Sequence, residues 1–200
     1  MTQQHDKRRR NPVGWLFTAL AGLLMMVLGG CATTGDTFRD ATMDFGSIKT
    51  VAVMPFGNLT RDQLASERVR DVFTTSLMAT GAIYSLPVGE VARAIGSIGL
   101  TNVATPSSED VVKLAKALKA DAVITGIVRE YGDVRSGNAS ADVISLSLQM
   151  AEGQTGRVVW SASTAKGGIG ITEKLFGGGG KPLNDVTEKA VNDLINKMFE

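Results

Sequence analysis

The sequence predicts an α/β fold: a single domain whose mixed sheet of about five strands carries helices on its faces. Three observations support it. Apolar, β-branched runs at 48–56 and 121–128 read as buried strands, segments with helical apolar spacing lie around them, and a two-residue alternation fills 144–150. The resulting order is strand, helix, strand, helix, helix, strand, strand, strand, helix. Helices between the first strands allow parallel crossovers, and the closely spaced later strands suit antiparallel pairing, so the sheet is expected to be mixed.

Lys7, Arg8, Arg9 and Arg10 precede a mostly apolar run from Val13 to Leu28, which ends in Gly29 and Gly30. A basic cluster, an apolar stretch and small residues are the layout of a secretory signal, assigned to residues 1–30. A retained membrane helix is the alternative, but the run falls short of the ~20 residues that span hydrocarbon. Its basic flank also lies on one side only. With Cys31 directly after the glycines, Leu28-Gly29-Gly30-Cys31 resembles the lipobox of bacterial lipoproteins. That resemblance implies cleavage between Gly30 and Cys31 and a covalent lipid on the Cys31 thiol; no other cofactor is expected. Several acyl chains, at about 0.8 kcal/mol per buried methylene, anchor stably where one does not. In enterobacterial lipoproteins an aspartate after the cysteine signals retention in the inner membrane; Ala32 stands there in this chain, so the resemblance implies the outer membrane, lipid-anchored and facing the periplasm.

Residues 31–46 are polar, small and aperiodic and read as a lipidated tether, reaching at most ~50 Å when fully stretched. Phe38, Met43 and Phe45 are apolar enough to pack against the body or a neighbouring copy. The domain proper is expected over 47–200. Ile48 to Phe56 is its first strand, stopped by Pro55. The loop Gly57-Asn58-Leu59 leads into Thr60-x-x-Gln63, the spacing of a capping box. A helix then runs to about Thr80, with Leu64, Val69, Val72, Phe73 and Leu77 near one side and Gly81 past its end. Ile83 to Leu86 is a short strand, and a helix follows Pro87 with Val91, Ile95 and Ile98 inward.

Ser107 is the expected cap of the next helix, which carries acids in its first turn and the apolar stripe Val111, Leu114, Ala115, Leu118. Asp121 to Val128 is apolar on both faces, as in a central strand covered on both sides. Gly132 to Ser140 reads as a turn region. Beyond it Ile144, Leu146, Leu148 and Met150 share one face and Ser145, Ser147 and Gln149 the other. Gly153 to Gly156 turns the chain and Arg157 to Thr164 returns as the second arm of a hairpin; the same alternation also fits a transmembrane β-hairpin. Gly167 to Gly180 reads as a mobile loop. It is no phosphate loop: Leu175 stands where the first glycine belongs, and Pro182 follows Lys181. The last helix covers 182–199, with Val186, Ala190, Val191, Leu194, Ile195 and Met198 as its buried stripe.

Composition narrows the chemistry. Four of the 21 Lys and Arg residues and one of the 20 Asp and Glu residues lie in the leader, so the remainder carries 17 basic against 19 acidic groups. Such near neutrality offers nucleic acid no electrostatic footprint, and no nucleic-acid partner is expected. The single histidine, His5, lies in the leader, and the single cysteine is Cys31. A processed chain therefore has no Ser-His-Asp triad, no Cys-His nucleophile, no Cys/His zinc site and no internal disulfide. A carboxylate-dependent hydrolase built from Asp62, Glu67 or Asp71 is the remaining enzyme reading, and these residues are more simply helix-surface charges. The expectation is a protein that is not an enzyme.

Three short motifs carry a family resemblance. Val51-Ala52-Val53-Met54-Pro55-Phe56-Gly57-Asn58-Leu59-Thr60 resembles the "VAVLPFxNxT" opening of CsgG-like and TolB amino-terminal-like domains. Ala120 to Gly126 resembles their "ADxVITG" strand, and Leu148 to Ser161 their "LxLVDxxTGxVxWS" hairpin. Together the motifs cover roughly Ile48 to Phe199 in the order of that family, which includes the curli secretion channel lipoproteins and, more distantly, LpoB-type activators of a peptidoglycan synthase (penicillin-binding protein). The resemblance implies a CsgG-like fold and a non-enzymatic outer-membrane lipoprotein, an accessory or scaffold in envelope assembly or secretion; the alternative is an LpoB-like activator. An envelope protein partner, a homo-oligomer, or both are implied. A curli-type channel subunit adds long hairpins, for which 132–140 and 167–181 are short or glycine-rich. An LpoB-type activator reaches through the peptidoglycan on a long arm, for which ~50 Å is short. The candidate interaction loop is Phe56, Gly57, Asn58, Leu59, Thr60 and Arg61, which also reads as turn plus helix cap.

Overall fold

The computed structural model describes residues 37–136, 139–168 and 180–200. Gly30, Cys31 and the glycine-rich stretch 169–179 lie outside them. In chain order the elements are β1 (Thr37–Arg39), β2 (Thr50–Val53), β3 (Gly57–Asn58), α1 (Ala65–Ala79), β4 (Tyr84–Ser85), α2 (Val88–Ile98), α3 (Ser108–Leu118), β5 (Ala122–Ser136), β6 (Ala139–Glu152), β7 (Val158–Gly167) and α4 (Leu183–Phe199).

The sheet is mixed, as expected, with the order β1-β7-β6-β5-β2-β4, and β3 pairs with β5 beyond the end of β2. β2 is parallel to β4 and β5, whereas β5, β6, β7 and β1 run antiparallel in succession. It holds seven strands, not about five. The two additions are β3, which resumes the path of β2 after Pro55, and β1, which lies in the stretch read as tether. Three polar or exposed residues carry no strand period of their own; β1 exists because β7 offers it a backbone edge, pairing Thr37 with Ala162 and Arg39 with Trp160.

Alternation along the strands explains where the helices pack. Val51 and Val53 face one side of β2 and Ala52 and Met54 the other, and both sides are buried. Helices α1 and α4 cover the first face with Phe73, Leu77, Val191 and Leu194, against Ile124, Ile144, Leu146, Leu148 and Trp160. Helices α2 and α3 bring Val91 and Leu114 onto Ala52, Met54, Val123 and Ala151 of the second face. Among the described residues these helices cover β2 and the adjoining parts of β5 and β6 on this side. Ser145, Ser147, Gln149, Ser161 and Ser163 remain partly or wholly exposed.

Two local expectations change and a third holds in part. First, 132–140 is strand: β5 runs to Ser136 and β6 begins at Ala139. Arg129 is an extra residue between the pairs Val128↔Leu146 and Glu130↔Ser145. This bulge shifts the side-chain parity, so Tyr131 turns back toward the main core. A largely solvated two-stranded ribbon also has no core-facing stripe, which hides it from a pattern search. Second, α1 starts at Ala65 with no side-chain cap, so the Thr60–Gln63 capping box does not form. The hydroxyl of Thr60 is used by its own turn. Third, Met43 and Phe45 pack against the main core, while Phe38 stays 52% exposed. The cap at Ser107 forms as read, with Asp110 reciprocating.

The C-terminal end of α4 is tied to the β7 and β1 edge. Trp160 Nε1 donates to the Lys197 carbonyl at 3.1 Å and Arg39 donates to the Met198 carbonyl at 2.8 Å. The Arg39 guanidinium also lies 3.8 Å from the centre of the Phe45 ring. Cations at a helix C-terminus meet unpaired carbonyls and the negative end of the dipole. Among the described residues no helix is long and apolar enough to cross a membrane.

Candidate functional site

The six residues 56–61 divide between core, sheet and surface. Phe56 is 6% exposed and packs on Phe73, with ring centroids 5.9 Å apart. Beneath it lies Gly126, where an added Cβ would come within 2.8 Å of the Phe56 ring and 2.6 Å of Leu148. Gly57 and Asn58 pair with Ile127 and Val128, and the Leu59 amide extends the pairing by donating to the Val128 carbonyl at 2.9 Å. The Asn58 side chain organises the turn. Its Nδ2 donates to the Asp62 carbonyl at 2.7 Å, and its Oδ1 accepts from the amide and hydroxyl of Thr60 at 2.9 and 2.8 Å. Such side-chain bonds to a nearby backbone are the Asx-turn device. What projects is Leu59, 71% exposed, together with Arg61 and, past the turn, Leu64 at 50%.

The carboxylates weighed for catalysis lie on the surface of α1 and of the turn before it. Asp62 accepts from the Leu64 amide and pairs with Arg68 at 3.0 Å, while Glu67 and Asp71 sit exposed on α1. Among the described residues no group of His, Cys, Asp and Glu could hold a metal ion. The perturbed groups are structural. Burial would raise the Asp193 pKa, but bonds from Lys166, Thr164 and Lys197 outweigh it and hold the carboxyl at about 2. Burial lowers the pKa of Arg70, whose Nη2 donates to the Val53 carbonyl at 2.7 Å.

A second feature was not assigned from the sequence. The uncovered part of the second sheet face, beside the loop before α3, forms a groove of about 300 Å³ around Thr125, Arg129, Ser147 and Gln149. Its strand alternation was legible, but nothing local reveals which residues the helices leave bare.

A family model described as peptidoglycan-synthase activator LpoB matches residues 36–165. The chain belongs to the LpoB family. The matched span runs from β1 through most of β7 and takes in both the 56–61 turn and the groove. Of the groups the sequence motifs resemble, this supports the activator. No curated protein sequence matches the chain. Among solved structures, lipoprotein GNA1162 from Neisseria meningitidis is similar with a TM-score of 0.55 and 19% identity, covering 76% of this chain and 98% of that one. A PelC dodecamer from Paraburkholderia phytofirmans is similar with a TM-score of 0.54 and 16% identity, covering 80% and 95%. At these identities the likeness is one of fold, and it supports the single α/β domain with its mixed sheet.

Proposed function

We propose that this LpoB-family protein is a non-enzymatic envelope lipoprotein that activates a peptidoglycan synthase by direct contact. The observation that carries the reading is the family match over 36–165. The solvent-facing placement of Asp62, Glu67 and Asp71 on α1 and the turn before it supports contact rather than catalysis. Cys31 is the proposed lipid site and the periplasmic side of the outer membrane the proposed location. Five residues separate Cys31 from β1, so the extended link is only about 20 Å and the synthase is met close to the anchor. Leu59, Arg61 and Leu64 are the proposed contact residues, two exposed apolar side chains beside a cation.

The test is glycan polymerisation by purified synthases of the same envelope, with and without the detergent-extracted protein. Acceleration by the protein, weakened by Leu59→Ser with Arg61→Ala, is the expected result. An unchanged rate with every synthase, together with no synthase co-purifying from crosslinked envelopes, would overturn it. The mass of the extracted protein separately tests self-association, a reading favoured by the dodecameric state of a PelC with a similar fold.

A further inference from the structure

The groove on the uncovered sheet face has the makings of a ligand site. Pairing across the strands sets two rows side by side there: Thr125, Gln149 and Ser161, then Ile127, Ser147 and Ser163. Arg129 continues the alternation of Thr125 and Ile127, and Thr105, Pro106 and Ser108 form the opposite wall. The volume, about 300 Å³, lies at the lower end of the range for small-ligand sites. One cation and no carboxylate line it.

Its polar groups are unspent. Ser147 Oγ is shut off from solvent and has no hydrogen-bond partner among the described residues. A buried hydroxyl left unpaired costs about 1–3 kcal/mol, and native folds leave few of them. Arg129, Thr125 and Gln149 stand beside it, and Arg129 makes no ion pair with the described residues. A guanidinium, an amide and the Thr125 hydroxyl along extended backbone complement a chain that presents amides and carbonyls in sequence and carries a negative group. Ile127 and Val158 supply an apolar floor for small side chains.

We propose that this groove binds a peptidoglycan stem peptide, a short extended chain with a free carboxylate, with the carboxylate on Arg129 and the peptide groups on Gln149 and Thr125. This rests on the activator reading above, because that reading places the protein beside nascent peptidoglycan. Bound stems would then report to the activator how much wall lies within reach.

Titration of the detergent-extracted full chain with a soluble muropeptide, followed by amide chemical shifts, tests the assignment. Saturable shifts are expected at Thr125, Ile127, Ser147 and Gln149. Arg129→Gln, an exposed surface change, should weaken binding about tenfold, as should amidation of the stem carboxylates, since each removes one charge-assisted contact. No saturable shift, or equal affinity in Arg129→Gln, would overturn the proposal. Equal binding of a linear L-peptide with a free C-terminus would also overturn it and reassign the groove to a protein tail. Synthase acceleration is measured separately on Arg129→Gln: a protein that binds muropeptide but accelerates no synthase sinks the activator reading alone.

Discussion

Thr50 and Asp121 are bonded to each other twice, with the Thr50 amide donating to Asp121 Oδ2 and the Asp121 amide donating to the Thr50 carbonyl, each at 2.8 Å. The same carboxylate oxygen accepts the Lys49 amide at 2.8 Å, and the Asp121 carbonyl accepts the Gly153 amide at 2.7 Å. One residue thus sets the starting register of β2 against β5 and joins the β6–β7 turn to them. Asp121→Ala should lower stability by about 1–2 kcal/mol, read from the urea midpoint. Asp121→Asn keeps an acceptor and should lose less; equal loss in the two variants would show that the carboxylate bonds are not the cause.

Gly156 has φ of 68°, and any Cβ there would collide with the Ser108 backbone at the start of α3. The wall it would strike cannot rotate aside. Gly81 has nearly the same φ, 67°, with nothing within 4 Å of a Cβ. Gly81→Ala should therefore cost about 1 kcal/mol, the conformational part, and Gly156→Ala clearly more, toward 3 kcal/mol or beyond. Thermal unfolding of the two variants separates strain from collision.

Trp160 is fully buried, and its ring nitrogen holds the last turn of α4. Trp160→Phe removes the hydrogen bond and part of the volume and should cost roughly 1–3 kcal/mol; Trp160→Ala opens a cavity and should cost about 3–5 kcal/mol. Hydrogen exchange of the amides near Lys197 should quicken in both.

Asp193 bonds Lys166 at 2.6 Å and lies 3.1 Å from Lys197. Its carboxyl is held at about 2, below the ordinary aspartate value of 3.8, so the unfolded chain takes up the proton first. The contribution of the ionised group is therefore full above about pH 4 and is lost as pH falls toward 2. Asp193→Asn should lower the urea midpoint at pH 6 and approach the parent protein near pH 2. A gap that stays constant across this range would exclude the charge as the source.

Cys31→Ala should move the protein from the membrane to the soluble fraction. If the variant still sediments with outer membrane, the proposed anchor is wrong.

Features built from neighbours in the chain were legible in advance. Val51 to Met54 announces a strand covered on both sides, the stripe on α4 announces its buried face, and Ser107 announces the cap of α3. Asp121 to Val128 reads the same way, yet only its first half is covered on both sides, and Thr125 and Ile127 face the open groove. The alternation of β6 even marked Ser147 and Gln149 as lying off the core. Legibility fails where a residue's state depends on distant backbone. Thr60 does not cap α1 because the chain around it is held in a turn by Asn58, itself paired with Val128 some seventy residues away, and the helix starts only at Ala65. Residues 37–39 become strand only because the β7 edge is free, and 130–136 only because β6 returns beside them.

The sequence by itself determined the α/β class, the order of most elements and the absence of histidine and cysteine from the chain beyond Cys31, because composition and short-range periodicity contain that information. Only the tertiary structure decided that Phe56 is core while Leu59 is surface, and that α2 and α3 reach β6 at Ala151 but leave Gln149 and Ser147 uncovered. Local pattern says which faces of an element are apolar. Which faces are left uncovered depends on where every other element comes to rest, and the groove around Arg129 and Ser147 exists only as that remainder.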